Sequence, residues 1–268
     1  MEFLAYIFAA VIGVSLGLIG AGGSILTVPV LVYLAGVDPV LATAYSLFVV
    51  GSTALVGGIR NTFKGLVDLK TAFLFGIPSI ASVYATRAWI MPAIPLELGF
   101  AGLSIAKGTA ILLLFAILMV ATSVSMIREN GAKRDLELVG EKVHSHHFGL
   151  VLLEGIGVGA LTGLVGAGGG FLIIPALVLL AGLEMKRAIG TSLLIIAMKS
   201  LLGFTGDIQA GMPIDWSFMF AFTSSSVGGI FLGTWLTNFI DGQRLKKGFG
   251  WFVLAMGVYM IARETVFA

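Results

Sequence analysis

The sequence predicts an all-α polytopic membrane protein made of two inverted repeats. Each repeat is expected to be a glycine-broken, re-entrant-like helical block followed by three transmembrane helices. Three observations carry this. The first is composition: of 268 residues, 58% are hydrophobic and 11% charged, with a mean hydropathy of +1.05, whereas soluble domains carry about a quarter charged residues. Apolar runs long enough to span recur along the whole chain, and the ten-residue alternation of a membrane β-barrel is absent. The second is an internal duplication. GLIGAGGSILTVPVLVYLAG at 17–36 returns as GLVGAGGGFLIIPALVLLAG at 163–182, and over 17–47 and 163–193 the two copies are identical at 16 of 31 positions. The third is that each copy interrupts its apolar run with a glycine cluster, Gly20-Ala21-Gly22-Gly23 or Gly166-Ala167-Gly168-Gly169-Gly170. Glycines this dense break a helix, and close helix packing alone does not need them.

Taken in order, residues 3–19 make a near-full crossing, while 24–36 reach only about 20 Å of a ~30 Å core. Pro29 either starts the second helix of this block, leaving Ser24-Ile25-Leu26 extended, or kinks it. Gly36 and Asp38-Pro39 end the unit. Plainer spans follow at 40–59, 70–90 and 103–127. The polar stretch 128–147 reads as a cytoplasmic loop, partly helical, that divides repeat 1–127 from repeat 148–268. The second block, 148–182, repeats the plan, with spans at 187–204, 214–240 and 246–264. Asp68 and Asp215 follow matching glycine turns and are expected to cap the next span of each half.

Lysine and arginine set the orientation. If each broken block enters and leaves on one side, the basic residues of the 60–70, 128–142, 186–187 and 244–247 loops share that side. Only Arg87, Lys107 and Arg263 fall opposite, and Lys199 lies inside. The positive-inside rule makes the first side cytoplasmic and puts both termini outside. The expected location is a prokaryotic cytoplasmic membrane.

Broken backbone at membrane depth must be buried in protein or line a wet cavity, and freed amides at a helix start attract anions. A pair of glycine-interrupted segments in matching positions points to a transport site. The candidate anion cradle is therefore the amides around Gly22, Gly23 and Ser24 and around Gly168, Gly169 and Gly170. Ser46 and Ser192 match between the copies, with Thr191 beside Ser192; their hydroxyls either serve the anion or bond back to their own helices. Lys199 is the charge well inside a span. A mid-span lysine costs roughly 2.5–3.5 kcal/mol on insertion scales, so it either functions or snorkels outward past Gly203. Glu154 relays protons or sits at the interface, and Arg60 or Asp207 is a gate or a turn residue.

Other classes are weakly served. The net charge of +2 is spread over loops and implies no nucleic acid. No cysteine is present, and His144, His146 and His147 lack ligand-spaced partners, so neither metal nor cofactor is expected. The first glycine cluster lacks the last glycine and the βαβ context of a dinucleotide fingerprint. An intramembrane enzyme needs a catalytic pair at depth, and no histidine or aspartate provides one. No ATP-binding motif is present, so an ion or substrate gradient is the expected energy source.

The paired GLIGAGGSILTVP and GLVGAGGGFLIIP, followed by ATAYSL and AIGTSL, resemble the TauE/SafE sulfite exporter family. So do the turns at Gly65–Asp68 and Gly211–Asp215, and Gly228-Gly229 with Gly233. The likeness covers nearly the whole chain. It implies export of small sulfur-containing anions such as sulfite, thiosulfate or organosulfonates; a passive anion channel or a carrier of other small acids is the alternative. The expected partners are that anion, the lipid bilayer, a coupling ion and, as an open option, a second copy of the chain.

Overall fold

The computed structural model describes residues 2–100, 103–128, 148–179, 181–236 and 242–266. Apolar helix α1 (Glu2–Ile19) leads into a 3-10 stretch at Gly20–Leu26 and a short α2 (Thr27–Tyr33). Ser24, Ile25 and Leu26 are thus wound rather than extended, and Pro29 sits in the first turn of α2. A 3-10 turn satisfies amides that an extended segment would leave bare in lipid. Asp38 caps α3 (Pro39–Phe63), its carboxylate accepting from the amides of Val40 and Leu41. Asp68 caps α4 (Leu69–Ala93) through the Thr71 amide at 2.7 Å, and α4 contains a π-helical turn at Thr86–Ile90.

An antiparallel ribbon, β1 (Glu97–Phe100) with β2 (Leu103–Ala106), pairs Glu97 with Ala106 before α5 (Lys107–Arg128). The expected span at 103–127 therefore starts four residues late. The second half runs α6 (Phe148–Val165), an open glycine turn, α7 (Gly170–Leu179), α8 (Met185–Gln209), α9 (Trp216–Leu236) and α10 (Gly242–Val266). Asp215 opens α9, accepting from the Phe218 amide at 3.0 Å. Among the described residues six helices, α3, α4, α5, α8, α9 and α10, are long and apolar enough to cross a membrane, so the chain is an all-α, multi-pass membrane protein. The linker 129–147, with His144, His146 and His147, lies outside the described residues.

The helices pack in matched pairs. α1 lies on α9 and its counterpart α6 on α4, while α3 faces α8 and α5 faces α10. Small residues let the backbones come close: a Cβ on Gly233 would stand 2.9 Å from Val14 Cα, and one on Gly163 would stand 2.7 Å from Thr86 Cβ. The duplication also appears in the polar contacts that cross between halves. The Thr191 hydroxyl accepts from the Asp68 amide at 2.9 Å. Tyr45, at the position matching Thr191, accepts from the Asp215 amide at 2.6 Å.

Candidate functional site

Both glycine breaks are hairpins. A Cβ on Gly23 would stand 2.7 Å from the carbonyl carbon of Ser15, eight positions earlier. A continuous helix would put those positions about 12 Å apart, so the chain folds back on α1. Gly169 lies in the same way against Thr162 of α6. The two turns meet at the centre of the bundle. A Cβ on Gly168 would lie 3.4 Å from Ser24 Cβ and 3.4 Å from Ile196 Cγ2 of α8, with Val50 of α3 on another side.

The two breaks are built differently. The first winds as a 3-10 helix, so amides within it bond three residues back. The second has Gly168 at φ 66° and Gly169 at φ 64°, a left-handed turn that glycine enters without the Cβ clash of other residues. The Gly169 carbonyl accepts from the amides of Leu172 and Ile173 at 3.0 and 3.1 Å, which starts α7. As the first N–H groups of that helix, those of Gly169 and Gly170 have no intrahelical acceptor.

Lys199 points into this second break. It is fully buried, its Nζ donates to Thr162 Oγ1 at 2.9 Å, and that nitrogen is 2.8 Å from where a Cβ of Gly169 would be. The ammonium therefore does not snorkel toward Gly203. Among the described residues no carboxylate pairs with it. When protonated, a buried lysine that faces only a neutral hydroxyl carries a positive charge that a small anion would neutralise.

The sequence-selected hydroxyls divide by what they touch. Ser46 is buried with no partner on its oxygen. It shares a face of α3 with Thr43, which backs Gly166, and with Val50, which backs Gly168. Ser192 donates to the Ile189 carbonyl of its own helix at 2.8 Å, and Thr191 receives the Asp68 amide. Ser24 is buried at the meeting of the turns. The structure thus gathers Ser24, Ser46, Gly168, Gly169, Gly170 and Lys199. Gly22 and Gly23 lie on the first hairpin, and Thr191 and Ser192 lie toward the opposite end of α8.

Arg87, which the charge distribution counts on the outer side of the membrane, is fully buried. Its Nη1 meets Asp207 Oδ1 at 3.3 Å and Thr43 Oγ1 at 2.9 Å. A signal was present: Arg87 falls inside the expected span 70–90, between apolar neighbours. Lys107, counted outside as well, is buried and caps the carbonyl of Ile94 at 3.3 Å and that of Met91. On the other side of the bundle, Arg60 donates to Thr234.

A bundle of spanning helices around two folded-back, broken segments is the construction of a membrane transporter. Residues 5–260 match the family described as sulfite exporter TauE/SafE. The chain belongs to the TauE/SafE family. It is similar to a probable membrane transporter protein of Xylella fastidiosa strain 9a5c, 29% identical over 259 residues, covering 94% of this chain and 92% of that one. It is also similar to the probable membrane transporter protein YunE of Bacillus subtilis strain 168, 27% identical over 257 residues, covering 87% and 88%. No solved structure matches the chain.

Proposed function

We propose that the chain is a secondary transporter that exports a small sulfur oxyanion, sulfite or a close relative, across a prokaryotic cytoplasmic membrane by alternating access. The observation that carries the reading is Lys199, a buried lysine with no counter-ion among the described residues, beside the start of a helix whose first amides are free of intrahelical bonds. An oxyanion there meets a positive charge and N–H donors together, each worth more than in water. Ser46 and Ser24 add hydroxyls at the edge of the same space. Family membership gives sulfur oxyanions priority among small anions. The two hairpins, rocking as units, would expose the site to one side and then the other, and the lysine and arginine distribution supports a topology with both termini outside. Alkaline phosphatase fused at the C-terminus should then be active.

The test compares Lys199→Met with Lys199→Arg in detergent-purified protein. Lys199→Met is expected to melt several degrees higher, because it removes a desolvated charge, and to lose about 10- to 100-fold in sulfite affinity. Lys199→Arg should keep part of the binding. Sulfite affinity unchanged in Lys199→Met would sink the assignment of the site.

A further inference from the structure

The ion pair Arg87–Asp207 plays no part in the reading above, and four features set it apart. First, it is one-sided: the place corresponding to it in the other half holds Arg60 donating to Thr234, and among the described residues no ion pair forms there. Second, it is half-used. Arg87 spends Nη1 on Asp207 and Thr43, while its Nε and Nη2 and the second oxygen of Asp207 are buried with no partner among the described residues. Nε and Nη2 form one edge of the guanidinium fork, the edge suited to bidentate recognition of an oxyanion. Third, Arg87 stands in the π-helical turn Thr86–Ile90, a rare backbone form that clusters at functional sites.

The fourth feature is position. Arg87 lies near the end of α4 and Asp207 near the end of α8, and Thr43 lies near the start of α3. Thr43 in turn packs on Gly166 at the mouth of the second hairpin, and Gly206 faces Arg87 so closely that a Cβ on it would stand 2.9 Å from Arg87 Cβ. The pair therefore pins three helix ends together over that mouth. Ser46 lies one turn deeper on α3, and Lys199 lies eight residues, about 12 Å, deeper on α8.

We propose that Arg87 and Asp207 form a latch over one mouth of the anion site, opened when the moving anion takes the free Nε–Nη2 edge of Arg87 and Asp207 lets go. This rests on the anion reading above and deepens it. With the anion bound to the fork, the guanidinium keeps a counter-charge while Asp207 is released, so α4 and α8 can part without stranding a bare cation. When the anion departs, Asp207 re-forms the pair and the mouth closes. Among the described residues the opposite mouth has no such pair, so the latch gives the two sides unequal control.

The absence of cysteine from the chain makes access measurable. A Ser46→Cys variant in detergent is reacted with a small charged methanethiosulfonate, alone and combined with Asp207→Asn or Arg87→Gln. The latch predicts slow labelling of the single variant and labelling about tenfold faster in each combination. In the cysteine-free protein, Asp207→Asn should bind sulfite several-fold more tightly, because the negative charge that already neutralises Arg87 is gone. Arg87→Gln should bind about tenfold more weakly. The charge swap Arg87→Asp with Asp207→Arg should restore the melting temperature and slow labelling but not the affinity, since the fork then faces from the wrong helix.

Labelling that stays slow in both combinations overturns the latch. A swap that restores affinity along with stability reduces the pair to a structural brace and overturns it too. If wild-type protein binds no anion at all, the transport reading fails by itself, while the labelling arm still decides whether the pair closes the mouth.

Discussion

Gly169 carries two demands at one residue. Its φ of 64° would strain any residue with a Cβ, and that Cβ would press on Lys199 Nζ at 2.8 Å. Gly182 shares the backbone demand, with φ 66°, but has open space around it. Gly169→Ala and Gly182→Ala should each cost ~1–2 kcal/mol in backbone strain, read as a drop in melting temperature that is larger for Gly169→Ala, whose Cβ also meets Thr162 Oγ1. Only Gly169→Ala should also cut anion flux, by tenfold or more. Equal flux in the two variants would show that the crowding around Lys199 is irrelevant to transport. At this scale the sequence was partly legible. Lys199 stood out because a charge inside a span has few bland explanations. Arg87 did not, because an arginine a few residues from a span end is usually taken as an interfacial anchor. Its burial depends on Asp207, 120 positions away, and on a π turn that leaves no periodic trace. The hydroxyls were legible as pairs but not as roles: Ser192 bonds back to its helix, while its counterpart Ser46 has no hydrogen-bond partner among the described residues.

At the scale of elements, glycine works in two ways that one motif line cannot separate. On α1 and α9 it allows close approach. Gly229 faces α1, where a Cβ would stand 3.0 Å from the Val14 amide nitrogen, while its neighbour Gly228 has nothing within 4 Å. Gly229→Leu is expected to lower the melting temperature sharply or prevent folding, because overpacking costs about 1–3 kcal/mol even where neighbours can shift. Gly228→Leu should be nearly neutral, and a comparable loss from both would contradict the assigned interface. In the hairpins glycine instead breaks the helix, and there the sequence was clear, since clusters within a duplicated apolar run have no other economical reading. Which hairpin would stay open was less evident, although one residue marks it: the second cluster has Gly170 where the first has Ser24. The ribbon at 97–106 escaped notice because strands of four residues are too short for an alternation to register.

The whole molecule keeps the symmetry of its duplication in packing and departs from it in charge. Helix pairs, glycine turns and the crossed hydroxyl contacts of Thr191 and Tyr45 recur in both halves. Lys199 does not: its counterpart Thr53 spends its hydroxyl on Ser226 at 3.1 Å and on the Val49 carbonyl at 2.7 Å. Among the described residues this duplicated scaffold thus holds one buried lysine beside the second hairpin and one ion pair at one end, the asymmetry that the proposed anion transport would use. The most direct measurement is counterflow. Proteoliposomes are preloaded with unlabelled sulfite and offered a trace of radiolabelled sulfite, with acetate as a comparison. The account predicts transient accumulation of labelled sulfite above equilibrium, lost in Lys199→Met. Flux that equilibrates without overshoot would mark a channel, and wild-type vesicles that pass no sulfite would contradict the account at its centre.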